Sequence, residues 1–229
     1  MDNMENSWYL RNYNRINATA KEGSIYSKVL HKSLEWKHKS NYGLHILEVG
    51  SNKGEHIQYV RDDWKLGGGS YHAIDLRSLD SEVLKKFREL GINYHKQNVE
   101  NLEFEDNTFD RVISTCLFHH LVNPQLGFQE IRRVTRIGGR IDIFLPNDPG
   151  IAYRFLRRIT TIRNARKFDL EQQVELVHAL EHRNHFLSLE VLSRYEFSAD
   201  YRKLIGFPFH RNFYNLNAFS ILSIVKNAN

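Results

Sequence analysis

Leu44-His45-Ile46-Leu47-Glu48-Val49-Gly50-Ser51-Asn52-Lys53-Gly54 is the stretch that decides how this chain folds. The apolar run from Ile46 to Val49 is long enough for one buried strand. Gly50 and Gly54 then predict a tight turn, and a helix is expected from about residue 54 to residue 64. A strand, a glycine turn and a helix start make a cradle of the nucleotide-binding type, because glycine has no Cβ to hold a ligand away from the backbone. Glu48 is an acid in an otherwise apolar strand. Burying it unpaired would be costly, so donors from the turn or from a ligand are expected to meet it. An ordinary strand-to-helix turn would carry the same glycines, so the spacing to the next motif matters.

That motif is Ser70-Tyr71-His72-Ala73-Ile74-Asp75-Leu76, a second short strand over residues 70–76 with an acid near its tip. Asp75 lies 25 positions after Gly50, close to the spacing at which a strand-end acid meets the hydroxyls of a ribose. A dinucleotide fingerprint needs three glycines, and position 52 is Asn. The expected ligand is therefore a nucleoside without a diphosphate, and not NAD.

With these residues in place, the sequence resembles the class I S-adenosylmethionine-dependent methyltransferases. Glu48-x-Gly50-x-x-x-Gly54 is similar to their first motif and Asp75 to their ribose acid. Asn98-Val99-Glu100-Asn101-Leu102-Glu103-Phe104 resembles the adenine-edge loop, with Asn98 where many relatives have Asp. Asn107-Thr108-Phe109-Asp110-Arg111-Val112-Ile113-Ser114 resembles the fourth strand, followed by Phe118-His119-His120-Leu121 and by Ile137-Gly138-Gly139-Arg140 before the fifth. The likeness covers roughly residues 44–146. It implies S-adenosylmethionine as cofactor and S-adenosylhomocysteine as product. It also implies a cofactor site of Glu48, Gly50, Ser51, Gly54, Asp75, Leu76, Asn98, Val99, Thr115 and Cys116.

The 229 residues suffice for one α/β domain with a sizeable core, so residues 1–229 are read as a single domain. The single cysteine, Cys116, rules out an internal disulfide and suits a reducing compartment. It is read as a buried strand-end residue beside the cofactor. No apolar run approaches the roughly 20 residues of a bilayer span, and the N-terminus has no apolar signal core, so a cytoplasmic location is expected. The net charge of +5 favours anionic partners without identifying one.

In chain order, residues 1–23 are a polar arm carrying Trp8, Tyr9 and Tyr13, either loose or lying over the cofactor. A helix is expected over 24–39, with Ile25, Val29 and Trp36 apolar. Strands over 44–49, 70–76, 92–97, 110–116 and 140–145 alternate with helices over 54–64, 80–90 and 124–136. This alternation predicts a doubly wound, mostly parallel, Rossmann-like sheet of seven strands. Residues 149–186 read as two helices with no strand between them, an insertion after the fifth strand that covers the acceptor. A helix over 188–197 and a closing pair of strands over 199–206 and 216–226 complete the fold.

Methyl transfer to a hydroxyl needs positioned reactants and a proton acceptor. His119 and His120, expected beyond the fourth strand, are candidate bases, as is His182. The alternative is that both members of the pair are structural, one packed in a helix start and the other capping it. His178, Glu181, His182 and His185 stand at i, i+3, i+4 and i+7, one face of a helix. Lining of an acceptor pocket ranks first for this face, a solvated surface second and a metal site third, so no metal is assigned. The segment from Ile151 to Phe168 carries Arg154, Arg157, Arg158, Arg163, Arg166 and Lys167 with no acid. Arginine forks suit phosphate and carboxylate, so Arg154, Arg157 and Arg158 are candidates for binding an anionic acceptor; a solvated basic face is the alternative. From Leu145-Pro146-Asn147-Asp148-Pro149-Gly150 through His178-Ala179-Leu180-Glu181-His182-Arg183-Asn184-His185-Phe186 the chain is also similar to small bacterial methyltransferases that modify surface polysaccharide or its precursors. The expectation is O-methylation of a small anionic acceptor: phosphorylated, nucleotide-linked or a sugar. The rivals are an RNA methyltransferase and a cofactor-binding regulatory protein without turnover. No nucleic-acid-binding module is evident, and the oligomeric state stays open.

Overall fold

The computed structural model describes residues 25–167 and 169–228. The expected N-terminal arm, with Trp8, Tyr9 and Tyr13, lies outside the described residues.

Ile46, Leu47 and Val49 are buried because their strand, β1 (His45–Val49), is interior to the sheet. It pairs in parallel with β2 (Ser70–Asp75) on one side and with β4 (Phe109–Ser114) on the other. β2 pairs with β3 (Ile92–Lys96), and β4 with β5 (Thr135–Pro146), also in parallel. β7 (Phe219–Val225) runs antiparallel between β5 and β6 (Tyr201–Phe207). The order β3-β2-β1-β4-β5-β7-β6 is thus the seven-stranded, mostly parallel sheet expected from the alternating pattern. Strand order reverses between β1 and β4, which opens a crevice beyond their carboxyl ends.

Strand side chains alternate between the two faces, so each face has its own core. On one face, Ile46, Ile113 and Phe144 pack with Leu30 and Leu34 of α1 (Ile25–Glu35) and with Phe87 of α2 (Ser81–Glu89). On the other, Leu47, Val112 and Ile143 pack with Phe128 and Ile131 of α3 (Pro124–Val134). Asn123 caps α3 by accepting the Leu126 N–H at 3.3 Å, and Pro124 follows it. Residues 135 and 136, expected to be helical, belong instead to β5, which runs through Gly138 and Gly139; the Gly138 N–H donates to the Lys226 carbonyl at 2.7 Å.

The helix expected over 54–64 is replaced by two 3₁₀ turns, Ile57–Tyr59 and Asp62–Gly68. Tertiary anchors account for this. His56 is buried with its ring nitrogens 3.0 Å from His31 Nδ1 and from Glu35 Oε1, which ties it to α1. Asp63 accepts from the Ser40 hydroxyl and the Asn41 N–H, and Gly67 has φ of 77°. A segment pinned at both positions cannot keep an α-helical rise.

After β5 come α4 (Ile151–Arg157), a π-turn (Arg158–Ile162), α5 (Arg163–Arg166) and α6 (Glu171–Glu181). α7 (Phe186–Glu196) follows. The two helical arms of the insertion match the expectation, but α6 stops at Glu181. His182 is its C-cap and His185 the N-cap of α7, so the four residues do not share one helix face.

Candidate active site

The glycine turn is fastened to the tip of β2. The N–H groups of Gly50 and Ser51 both donate to the Ile74 carbonyl, at 2.9 and 3.0 Å, and Gly54 N–H donates to Ser51 O at 2.8 Å. Asp75 completes the attachment: Oδ2 accepts the Asn52 N–H at 2.9 Å and Oδ1 the Arg77 N–H at 3.0 Å. Gly50 and Gly54 both have positive φ, 72° and 75°. A Cβ at position 50 would meet Leu117, and one at position 54 would strike the buried ring of Phe87. Gly54 is therefore required by packing against α2 as well as by its backbone angle.

Glu48 meets a donor from the neighbouring strand, not from the turn. The Tyr71 hydroxyl donates to Oε2 at 2.8 Å, and burial pushes the carboxyl above its ordinary range. Glu48 Oε1, Ser51 Oγ and Ser114 Oγ are buried without a hydrogen-bond partner among the described residues. These unsatisfied atoms sit at the ends of β1 and β4, where the crevice opens, and buried polar groups are otherwise almost always paired. Such atoms are suited to pairing with a polar ligand. Asn98 is exposed, with Oδ1 accepting the Glu100 N–H at 3.0 Å, while Val99 is buried in the core. Leu76 is exposed and Thr115 half-buried. Cys116, expected to be buried, is exposed, in the turn past β4 where its φ is 48°.

Beyond β4 and β5, a second group forms from segments far apart in sequence. Asp148 Oδ2 lies 3.1 Å from both His178 Nε2 and His182 Nδ1. Burial opposes ionisation of Asp148, but these two contacts outweigh it and hold the carboxyl well below its usual range. Both imidazoles therefore donate N–H to a carboxylate. His120 Nδ1 donates to the Glu181 carbonyl at 2.9 Å. His119 is buried, and its ring lies 4.0 Å from that of His120 and 4.5 Å from that of His182. Burial pushes His119 well below the ordinary histidine value, lowers His120, and takes His182 to about 4. All three are neutral imidazoles at neutral pH, and His119 is too shielded to serve as a base.

Asn184 holds the arrangement. Its N–H donates to the His119 carbonyl at 3.1 Å, and its side-chain amide donates to Phe118 O at 3.2 Å and Leu121 O at 2.7 Å. The α6–α7 loop is thereby stitched to the turn after β4. A cavity of about 420 Å³ opens beside it, lined by Asp148, Arg154, Arg157, Glu175, His178, Ala179, His182 and His185. The structure thus brings Arg154, Arg157, His178, His182 and His185 together. Arg158 and Glu181 are not among the lining residues; Glu181 instead holds His120. Arg166 is paired with Glu171 at 2.7 Å. The sequence reading missed Asp148 and Asn184 as site residues, although both stand in runs it singled out, Asn147-Asp148-Pro149-Gly150 and His182-Arg183-Asn184-His185.

A methyltransferase domain family matches residues 47–143. The biotin biosynthesis bifunctional protein of Teredinibacter turnerae is 30% identical over 156 residues, 65% of this chain and 25% of that protein. A probable phthiotriol/phenolphthiotriol dimycocerosates methyltransferase of Mycobacterium ulcerans is 31% identical over 98 residues, 42% of this chain and 37% of the relative. The chain thus spans between a quarter and two fifths of these relatives' length. Among solved structures, a Thermotoga maritima S-adenosylmethionine-dependent methyltransferase, described as a possible histamine N-methyltransferase, superposes with a TM-score of 0.61 at 13% identity, covering 96% of this chain and 98% of its own. The 1,6-didemethyltoxoflavin-N1-methyltransferase of Burkholderia thailandensis, solved with S-adenosylhomocysteine, gives 0.57 at 14% identity over 96% of this chain and 84% of its own. At such identities the structural likeness speaks to the fold. Residues 47–143 thus match a methyltransferase domain, and the fold is the one shared with solved S-adenosylmethionine-dependent methyltransferases.

Proposed function

We propose that the chain methylates an oxygen of a small anionic acceptor held beneath the insertion. The cofactor is S-adenosylmethionine, which when bound supplies an activated methyl group and leaves as the thioether S-adenosylhomocysteine. In this reading Asp75 takes the ribose hydroxyls, Asn98, Val99 and Leu76 flank the adenine, and Gly50, Ser51, Gly54, Thr115 and Cys116 frame the remainder. Glu48 and Ser51 offer the unsatisfied buried atoms of the cradle.

One observation carries the acceptor side: Arg154, Arg157, His178 and His182 line a single cavity beyond the end of β5. Guanidinium groups there bind phosphate or carboxylate. His178 donates Nε2–H to Asp148, which leaves Nδ1 with a lone pair for the acceptor's proton. Asp148 fixes that tautomer and stabilises the imidazolium that forms, an arrangement common to histidine bases. The acceptor thus exchanges its O–H for O–CH₃, and the proton resides on His178. Residues 149–186 act as the acceptor lid of one catalytic unit. The similarity of residues 145–186 to polysaccharide-modifying methyltransferases supports a phosphorylated or nucleotide-linked sugar as acceptor. A single cysteine suits a cytoplasmic setting for the reaction.

The test is turnover with labelled S-adenosylmethionine across sugar phosphates and nucleotide sugars. Arg154→Ala and Arg157→Ala should each raise the acceptor KM about 10- to 100-fold, as loss of a hydrogen bond to a charged group does, with cofactor affinity unchanged. His178→Ala should lower kcat, by less at high pH, where the acceptor ionises unaided. Acceptor KM values untouched by both arginine changes would remove the proposal.

A further inference from the structure

Four histidines converge beneath the insertion, and hydrogen bonding explains only some of their ring nitrogens. His120 spends Nδ1–H on the Glu181 carbonyl, and His182 spends Nδ1–H on the Asp148 carboxylate. Both therefore turn a neutral Nε2 lone pair elsewhere. A histidine that donates one N–H to a carbonyl or carboxylate and keeps the other nitrogen free is arranged as metal ligands are. His119 supplies the independent observation. It is 4% exposed, and its Nδ1 is buried with no partner among the described residues. One ring nitrogen of each of His119, His120 and His182 lies within 4.8 Å of the other two. Ligand atoms around a tetrahedral zinc stand about 3.3 Å apart when each is about 2.0–2.1 Å from the ion, which small side-chain rotations would reach.

We propose that His119, His120 and His182 bind a divalent transition-metal ion of the zinc class at the edge of the acceptor cavity. Three neutral imidazoles are a donor set suited to zinc, cobalt or nickel and poorly suited to magnesium or calcium, which take oxygen ligands. Asp148 acts one shell out, orienting His182 as a carboxylate–histidine–metal triad. The overlapping trio Asp148, His178 and His182 also brings ligand atoms within 4.8 Å of one another. Its short contacts are fully accounted for as N–H donation to a carboxylate, and it has no unpaired buried nitrogen. With three protein ligands the ion keeps an open position, as catalytic zinc sites do, and His182 places that position at the cavity wall. There the ion would polarise the acceptor oxygen before its proton passes to His178. That last role rests on the methyltransferase reading; occupancy of the site does not.

The experiment uses the tag-free full chain, stripped with chelator and dialysed. Zn(II) is titrated by calorimetry, and Co(II) by the visible absorption of its low-coordinate form. One equivalent is expected. His120→Ala and His182→Ala should each weaken binding by more than 100-fold, and Asp148→Asn by the 10- to 100-fold typical of outer-shell partners. His178→Ala should stay within a few-fold of the parent. S-adenosylhomocysteine binding by the same samples reports folding and the methyltransferase reading separately. No stoichiometric uptake by protein that binds S-adenosylhomocysteine would overturn the site while leaving that reading in place. Uptake indifferent to His120→Ala and His182→Ala would overturn it too, as would a loss in His178→Ala equal to theirs, which would put the ion on Asp148 and His178.

Discussion

Replacing Asp75 with alanine would remove more than the ribose contact proposed for it. The carboxylate already accepts the N–H groups of Asn52, at the crest of the glycine turn, and of Arg77, just past β2. A hydrogen bond to a charged group contributes about 1.5–3 kcal/mol, and one exposed at a strand tip falls at the low end because water replaces it. Asp75→Ala should therefore cost the fold about 1–2 kcal/mol. It should weaken the cofactor by about 1–3 kcal/mol, or roughly 5- to 150-fold in Kd, because it loses both the hydroxyl partner and the brace on the turn. Asp75→Asn separates the two. Its single amide oxygen can face either Asn52 or Arg77, and its NH₂ then opposes the other N–H, so one brace is lost whichever way it flips. The amide can still donate to a ribose oxygen, so its Kd should lie between the parent's and alanine's. Calorimetry with S-adenosylhomocysteine gives the affinities, and urea unfolding gives the stabilities. A folded Asp75→Ala protein with a Kd within twofold of the parent would refute the assignment. Equal losses in both variants would show that the amide's donation to the ribose and its one remaining brace contribute nothing.

Other consequences can be measured on stability. Arg111 is buried and bonds Glu35 with both terminal nitrogens, at 2.9 and 2.7 Å, with Asp142 3.4 Å from Nε. Arg111→Met should destabilise by about 3–5 kcal/mol by stranding the carboxylates, and adding Glu35→Gln should recover part of that; a urea midpoint that barely moves would contradict it. Acid should weaken the fold. Burial opposes ionisation of Glu35, but His56 and Arg111 hold it at about 2 against an ordinary 4.5, so its contribution is present above 4.5 and lost as pH falls toward 2. Burial, aided by His56, takes His31 from 6.5 to about 3, so between those values the unfolded chain binds a proton that the folded chain refuses. Glu48, raised by burial, acts in the opposite sense. The melting temperature should drop between pH 6.5 and pH 3, and a flat or rising profile would count against these environments. Gly54→Ala forces a Cβ onto Phe87 at a φ of 75° and should cost about 1–3 kcal/mol of stability along with cofactor affinity; a neutral effect in urea would refute the packing role.

The buried charges show where the sequence reading stopped short. Glu48, Arg111 and Asp142 stand in adjacent strands, and the register puts all three on the face covered by α1. Of the three, the sequence reading singles out only Glu48 as an acid in an apolar strand. The common face of all three depends on register, which no single strand encodes. The same applies to the helix expected over 54–64. Its residues permit a helix, but His56 and Asp63 find partners in α1 and in residues 40–41, and those contacts prevail over local preference.

The sequence by itself determined the strand–turn–strand from His45 to Asp75, the alternation that orders the sheet and the place of the insertion. These rest on period, glycine and spacing within contiguous residues. Only the tertiary structure decided the histidine cluster beside the insertion. His119 and His120 follow β4, Asp148 follows β5, and His178 and His182 close α6, so their meeting depends on how β4 and β5 lie side by side and how Asn184 ties the α6–α7 loop across them. Helical spacing suggested one face for His178, His182 and His185; the chain reaches the same cavity with a helix that ends between them, because Asp148 holds His182 and Asn184 anchors the loop to Phe118 and Leu121.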